Sequence, residues 1–312
     1  MFKNLERIPT AGMKHEDWLE LRRKSIGGSD AAAIVGLNPW ASPYSVWAEK
    51  TGRLPEKEET EAMRQGKDFE DYVAKRFCEA TGKRVRRANA MYRNPAYPFA
   101  HASLDRAVMG ESAGLECKTT SVLNLRKFRD GEYPDSYYVQ CVHYMAVTGA
   151  DRWYLAVLVL NQGFHAYTIE RDEAEISALM KQEAGFWEHV TNDTPPPADG
   201  FDATTDALNV IYRETNGGSV NLFGREGLID EYFRQKEAEN EIKAKVEEIK
   251  QTLMMDMGNH EAGYCGGYKV SWKPQVRNTF NYKAFADEHP DMDIAPFLKQ
   301  SKSRPFLIKE AK

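Results

Sequence analysis

The stretch AHASLDRAVMGESAGLECKTT sets Asp105, Glu116 and Lys118 in the order acid, short turn, acid-any-lysine. Its pattern predicts two strands of a hairpin, with Gly110 to Gly114 as the turn. On the second strand, Leu115 and Cys117 point one way and Glu116 and Lys118 the other. One face then carries a carboxylate beside an ammonium, and Asp105 joins it from the neighbouring strand. Such a cluster suits a hard divalent cation. Mg²⁺ takes one or two carboxylates, keeps several waters and shares phosphate oxygens with its substrate. The chemistry it serves is phosphodiester hydrolysis. Acid-any-lysine alone occurs by chance in most chains, so the weight rests on what surrounds it.

Glu70 lies at the edge of the apolar stripe Phe69, Val73, Phe77 on a helix from Arg64 to Thr81. A carboxylate near a core face needs a partner or a metal. A surface ion pair with Arg64, Lys67 or Lys75 is the plainer alternative. Gln140 projects among Tyr137, Cys141, Tyr144 and Thr148 on a helix soon after the Lys118 strand. It can hydrogen-bond the attacking water, a metal-bound water or Lys118, or it is an ordinary core glutamine. Ser29, read as a helix N-cap, combines a hydroxyl with free backbone N–H groups, and Arg22 adds a fork of donors. The pair suits a phosphate monoester; the alternative is a plain cap beside a solvated basic patch. Gly66-Lys67-Asp68 is no nucleotide-binding loop, because Glu61 and Asp68 stand where Gly and Ser or Thr are needed.

The elements that must position these residues follow from caps and periodicity. Helices are predicted from His15 to Lys24, over the short run AAAIV, from Ser42-Pro43 to Gly52, from Ala62 to Thr81, and from Asp135 or Ser136 to Thr148. Lys83 to Arg93 reads as one extended segment. Arg152 to Leu160 and Phe164 to Glu170 form a hairpin, and Asp172 caps a helix reaching Val190. The predicted fold is α/β, a mixed central sheet flanked by helices, over residues 1–200. Residues 201–225 read as a linker, and 226–312 as a long helix and a β-hairpin. In that helix Ile242, Val246, Ile249 and Leu253 make a narrow seam, suited equally to its own domain or to a coiled coil. The tail ends in a strand-like PFLIK.

Of the 312 residues, 42% are hydrophobic and 29% charged, which fits a soluble globular protein. No apolar run is long enough to span a bilayer, and no signal-peptide core opens the chain, so a cytoplasmic protein is expected. The four cysteines are scattered, which excludes a zinc or iron–sulfur framework. A net charge of −5 weighs mildly against nucleic acid as substrate, although a local patch can still hold phosphate.

The order of these motifs resembles the YqaJ-like viral recombinases and phage lambda exonuclease, within the PD-(D/E)xK nuclease superfamily. The resemblance runs through WLELRRKSIGGSDAAAIVGLNPWASP, RQGKDFE ending at Glu70, SLD ending at Asp105, LECK, and YYVQCVHYMAVTG with Gln140. It covers roughly residues 10–195. It implies a 5′-to-3′ exonuclease on linear duplex DNA that leaves 3′ overhangs and uses Mg²⁺, with Mn²⁺ able to substitute. Glu70, Asp105 and Glu116 would surround the metal, Lys118 would assist the attacking water, and Gln140 would support the site. Arg22 and Ser29 would bind the 5′-phosphate, with Ser103 a further phosphate contact. Leu104 stands where the motif's leading proline belongs. A single-strand annealing protein as partner and a trimeric ring are further implications. An endonuclease of the same superfamily, and a non-catalytic binding module, are the alternatives.

Overall fold

Helix ends follow local capping chemistry in the computed structural model, which describes residues 2, 4–56, 58–128, 130–293, 297–298 and 304–308. An edge strand β1 (Glu6–Pro9) precedes helix α1 (His15–Arg23) and the short α2 (Gly28–Ile34). Helix α3 (Pro43–Lys50) starts where Ser42 Oγ accepts the Ser45 N–H at 3.1 Å. Helix α4 (Glu61–Thr81) stops at Gly82, whose φ of 70° suits glycine. Strands β2 (Val85–Arg87), β3 (Ala90–Arg93), β4 (His101–Ser103), β5 (Arg106–Val108) and β6 (Ala113–Thr120) follow. A 3-10 helix, Val122–Phe128, leads to α5 (Asp135–Thr148). The hairpin of β7 (Arg152–Val159) and β8 (Gly163–Glu170) then feeds α6 (Glu173–Thr191), capped by Asp172.

Five strands form a mixed sheet in the order β2-β5-β6-β7-β8. Its one parallel pair is β6 with β7, in register Glu116↔Leu155 and Lys118↔Val157. Parallel neighbours need a crossover, and α5 supplies it. Side-chain alternation then sorts the two faces. Leu115, Tyr154 and Ala156 pack with Val73 and Phe77 of α4, while Trp153, Leu155 and Val157 pack with α5 and α6. The expected mixed sheet flanked by helices is therefore present, and the alternation that sends Leu115 to α4 leaves Glu116 and Lys118 facing α5.

Several boundaries differ from the sequence reading. Gly114 belongs to β6 rather than to the turn, and a Cβ there would meet the Trp153 ring at 2.2 Å. Lys83 to Arg93 is not one segment: Asn89, at φ 46°, separates β2 from β3, and β3 joins a second sheet, β1-β3-β4. Helix α5 is preceded by Pro134, so neither Asp135 nor Ser136 caps it. The stretch read as a linker contains α7 (Asp202–Ile211), and the first compact unit runs to Arg213. Ala207 and Ile211 pack with Tyr44 and Trp47 of α3, and Thr204 donates to Ser42 Oγ at 2.7 Å. The polar composition of the stretch concealed these few buried positions.

The second unit, Glu214–Lys312, holds α8 (Glu226–Met257), β9 (Ala262–Cys265), β10 (Tyr268–Ser271) and α9 (Tyr282–Glu288). Helix α8 buries Met257 alone among its described residues, and the Ile242–Leu253 seam is exposed. Pairs such as Lys243–Glu239, at 2.6 Å, lie along its surface. In the tail, residues 305–308 form no strand, and Lys309 lies outside the described residues. No described helix is long and apolar enough to cross a membrane.

Candidate functional site

Glu116 is 3% exposed and lies on the α5 side of β6. Its Oε1 receives the Lys118 ammonium at 2.7 Å and the Gln140 Nε2 amide at 2.7 Å. Gln140 Oε1 in turn accepts from Lys118 Nζ at 2.8 Å, and Gln140 Nε2 also reaches Tyr144 Oη at 2.9 Å. The predicted acid, lysine and glutamine thus form one closed ring of hydrogen bonds. Lys118 Nζ also sits 5.2 Å from the centre of the Tyr137 ring. Burial opposes the Lys118 charge, but Glu116 outweighs it and raises the ammonium above its ordinary range. Lys118 is therefore held as a cation.

Asp105 lies immediately before β5, beside the same strand. Its Oδ2 accepts the Cys117 N–H at 2.7 Å. Burial first, then the Glu116 and Glu70 carboxylates, push Asp105 well above the ordinary carboxylate range. Burial raises Glu116 too, against the pull of Lys118. Glu70 comes from α4, but its partner is not Arg64, Lys67 or Lys75. Arg106, 4% exposed, takes Glu70 Oε1 with one arm and Asp71 Oδ1 with the other. Glu70 and Asp105, but not Glu116, line a cleft of about 320 Å³ together with Trp18, Lys67, Ser103 and Arg106. Ser103 Oγ is buried there with no hydrogen-bond partner. A larger hollow, about 610 Å³ between Lys127 and Tyr138, contains none of these acids.

The donor set fits a divalent cation in part. Glu116 Oε2 is buried without a partner, and the half-buried Asp105 beside it adds a repulsion that a cation would offset. Among the described residues no group of three or more His, Cys, Asp or Glu side chains is placed to hold a metal ion, so Glu70, taken up by Arg106, does not join Asp105 and Glu116 as a third ligand. Mg²⁺ does not require one, because it keeps waters and shares substrate oxygens.

Arg22 and Ser29 are also brought together. Arg22 Nη2 donates to Ser29 Oγ at 3.1 Å and to Asp30 Oδ1 at 3.3 Å, and its guanidinium lies 5.1 Å from the Trp18 ring centre. Ser29 is not the N-cap, however. Gly27 holds that position, and Asp30 Oδ2 accepts its N–H at 2.9 Å. A Cβ on Gly28 would meet Tyr144 at 2.6 Å and Gln140 at 3.0 Å, so α2 packs directly on the ring of hydrogen bonds.

Sequence reasoning missed Asp30, Lys50 and Arg106. Lys50 Nζ, buried, reaches Asp30 Oδ2 at 2.6 Å and the Arg22 carbonyl at 2.8 Å. Burial works against the Asp30 charge, but Lys50 and then Arg22 prevail and hold the carboxyl well below the ordinary range. The signal for Asp30 was its position three residues after Gly27, where a carboxylate can return to the N-cap N–H. For Lys50 it was a lysine one turn beyond Trp47 on an apolar helix. Arg106 had no signal beyond adjacency to Asp105.

Comparison with known proteins follows the same residues. The YqaJ-like viral recombinase domain matches residues 17–151, which include every site residue named above. The chain is 40% identical over 304 residues to Uncharacterized protein YqaJ of Bacillus subtilis (strain 168), covering 96% of this chain and 95% of that one. It belongs to the YqaJ-like viral recombinase domain family. Among solved structures, the alkaline exonuclease LHK-Exo of Laribacter hongkongensis is 21% identical, with a TM-score of 0.49 over 57% of this chain and 93% of that one. A phage-related exonuclease from Haemophilus somnus 129PT is 13% identical, with a TM-score of 0.45 over 56% and 99%.

Proposed function

We propose that the chain is a Mg²⁺-dependent exonuclease that digests linear duplex DNA from a 5′ end and leaves 3′ single-stranded overhangs. The observation that carries this reading is the hydrogen-bonded ring of Glu116, Lys118 and Gln140 beside the half-buried Asp105. Family membership supports it. Asp105 and Glu116 would hold Mg²⁺, or Mn²⁺ in its place, with Glu70 outside them. When bound, the ion lowers the pKa of water and polarises phosphoryl oxygens.

The side chains do the rest. Lys118, held charged, donates to the negative charge that develops on phosphate rather than taking a proton. Gln140 fixes both Lys118 and Glu116 in place. Arg22 and Ser29 grip the terminal 5′-phosphate, and the unpartnered Ser103 Oγ contacts a further phosphate. A single-stranded product calls for an annealing protein as partner, and a ring-shaped oligomer would keep the enzyme on its substrate.

Linear and closed-circular duplex incubated side by side with Mg²⁺ test the reading. The linear DNA is expected to disappear and the circle to persist. Nicking or cutting of the circle would make the chain an endonuclease, and intact linear DNA would leave a binding module.

A further inference from the structure

We propose that the second unit carries a binding surface for single-stranded nucleic acid, built on the segment from Ala262 to Lys283. The chain has a net charge of −5, yet this segment contains Lys269, Lys273, Arg277 and Lys283 and no Asp or Glu. None of the four cations forms an ion pair among the described residues. Helix α8 of the same unit is the contrast, because there Lys236 and Lys243 are both answered by Glu239.

Aromatic rings are interspersed with these cations along the segment. Tyr264 is 75% exposed, Tyr268 81% and Phe280 73%, and Trp272 and Tyr282 are about half exposed. In the hairpin register Lys269 stands opposite Tyr264 on one face, with its ammonium 5.6 Å from the ring centre, and Tyr268 stands opposite Cys265 on the other, so the surface wraps both faces of the ribbon. Rings left in water beside unpaired cations match a ligand that offers flat faces and negative charge together. Single-stranded nucleic acid offers both, because its bases can leave their own stack and its phosphates take the cations. In a duplex the base faces are already covered. An acidic protein would answer the cations and leave the rings unused. This surface does not depend on the metal site, so it stands apart from the proposed nuclease.

The test is fluorescence anisotropy with the full chain in EDTA, where no metal-dependent cleavage intrudes. The probes are labelled oligo(dT) and a duplex of equal length. Combining Tyr264→Ala, Tyr268→Ala and Phe280→Ala is expected to weaken oligo(dT) binding at least about 10-fold, since each stacked base contributes substantially. Combining Lys269→Gln, Lys273→Gln and Arg277→Gln is expected to flatten the slope of log affinity against log salt by about 2, from roughly 0.7 per cation on a single strand. The lysine and arginine changes leave every ring in place, so they keep the test sound if the aromatic variant unfolds, which circular dichroism would reveal. Wild-type oligo(dT) affinity in the glutamine variant would overturn the proposal, and is the outcome expected of a surface for an acidic protein. Failure of the nuclease reading would appear only in a separate Mg²⁺ digestion.

Discussion

Gln140 Nε2 donates to Glu116 Oε1 at 2.7 Å, which ties the middle of α5 to the acid on β6. The other end of the same amide accepts from Lys118 at 2.8 Å. One side chain therefore sets the spacing between the Glu116 carboxylate and the Lys118 ammonium. Gln140→Ala should lower kcat on linear duplex roughly 10- to 100-fold with a small change in KM, as expected for a group that positions others. Steady-state kinetics check this, and an unchanged kcat would remove Gln140 from the site.

Gly28 is where α2 meets that amide. Gly28→Ala puts a methyl group 2.6 Å from the Tyr144 ring and 3.0 Å from Gln140. Overpacking of this kind costs about 1–3 kcal/mol. Urea denaturation should show that loss, together with a fall in kcat that Gly66→Ala, at an open position on α4, does not produce.

End recognition is expected to depend on a residue that cannot reach DNA. Lys50 is buried and holds Asp30, which in turn holds Arg22. Arg22→Ala should selectively slow digestion of 5′-phosphorylated ends. Lys50→Met should reproduce that selectivity by loosening Arg22. Rates on phosphorylated and hydroxyl ends compare the two directly. Equal losses on both ends would contradict a phosphate pocket.

The same pair gives a pH signature. Asp30 has its folded-state pKa depressed below the ordinary 3.8, so its stabilisation is full above 3.8 and is lost progressively as pH falls from there through the lower folded-state value. Asp30→Asn leaves Lys50 buried and unpaired, at a cost of about 3–5 kcal/mol at pH 7. The gap between wild type and variant in urea midpoint should narrow as pH drops below about 4. A gap that stays constant to pH 3 would show that the Asp30 pKa is not depressed in the folded protein.

Much of this was legible in local pattern. Ser42 and Asp172 mark helix starts in sequence and in structure alike. Alternation along β6 was enough to place Glu116 and Lys118 on one face. Choice of partner across the fold was not legible. Nothing near Glu70 in sequence indicates that it pairs with Arg106, and nothing near Lys50 indicates Asp30, because both contacts depend on how separate elements pack. Edge strand β1 pairs only once the sheet exists, and α7 buries so few residues that its composition reads as loop.

The central claim is that Asp105 and Glu116 together gather a divalent cation. Electron paramagnetic resonance during titration with Mn²⁺ tests it without reference to cleavage, because free and bound Mn²⁺ give different signals. Wild type should bind Mn²⁺ and Asp105→Ala should lose that binding while its circular dichroism spectrum is unchanged. Equal Mn²⁺ binding by the two proteins would contradict it.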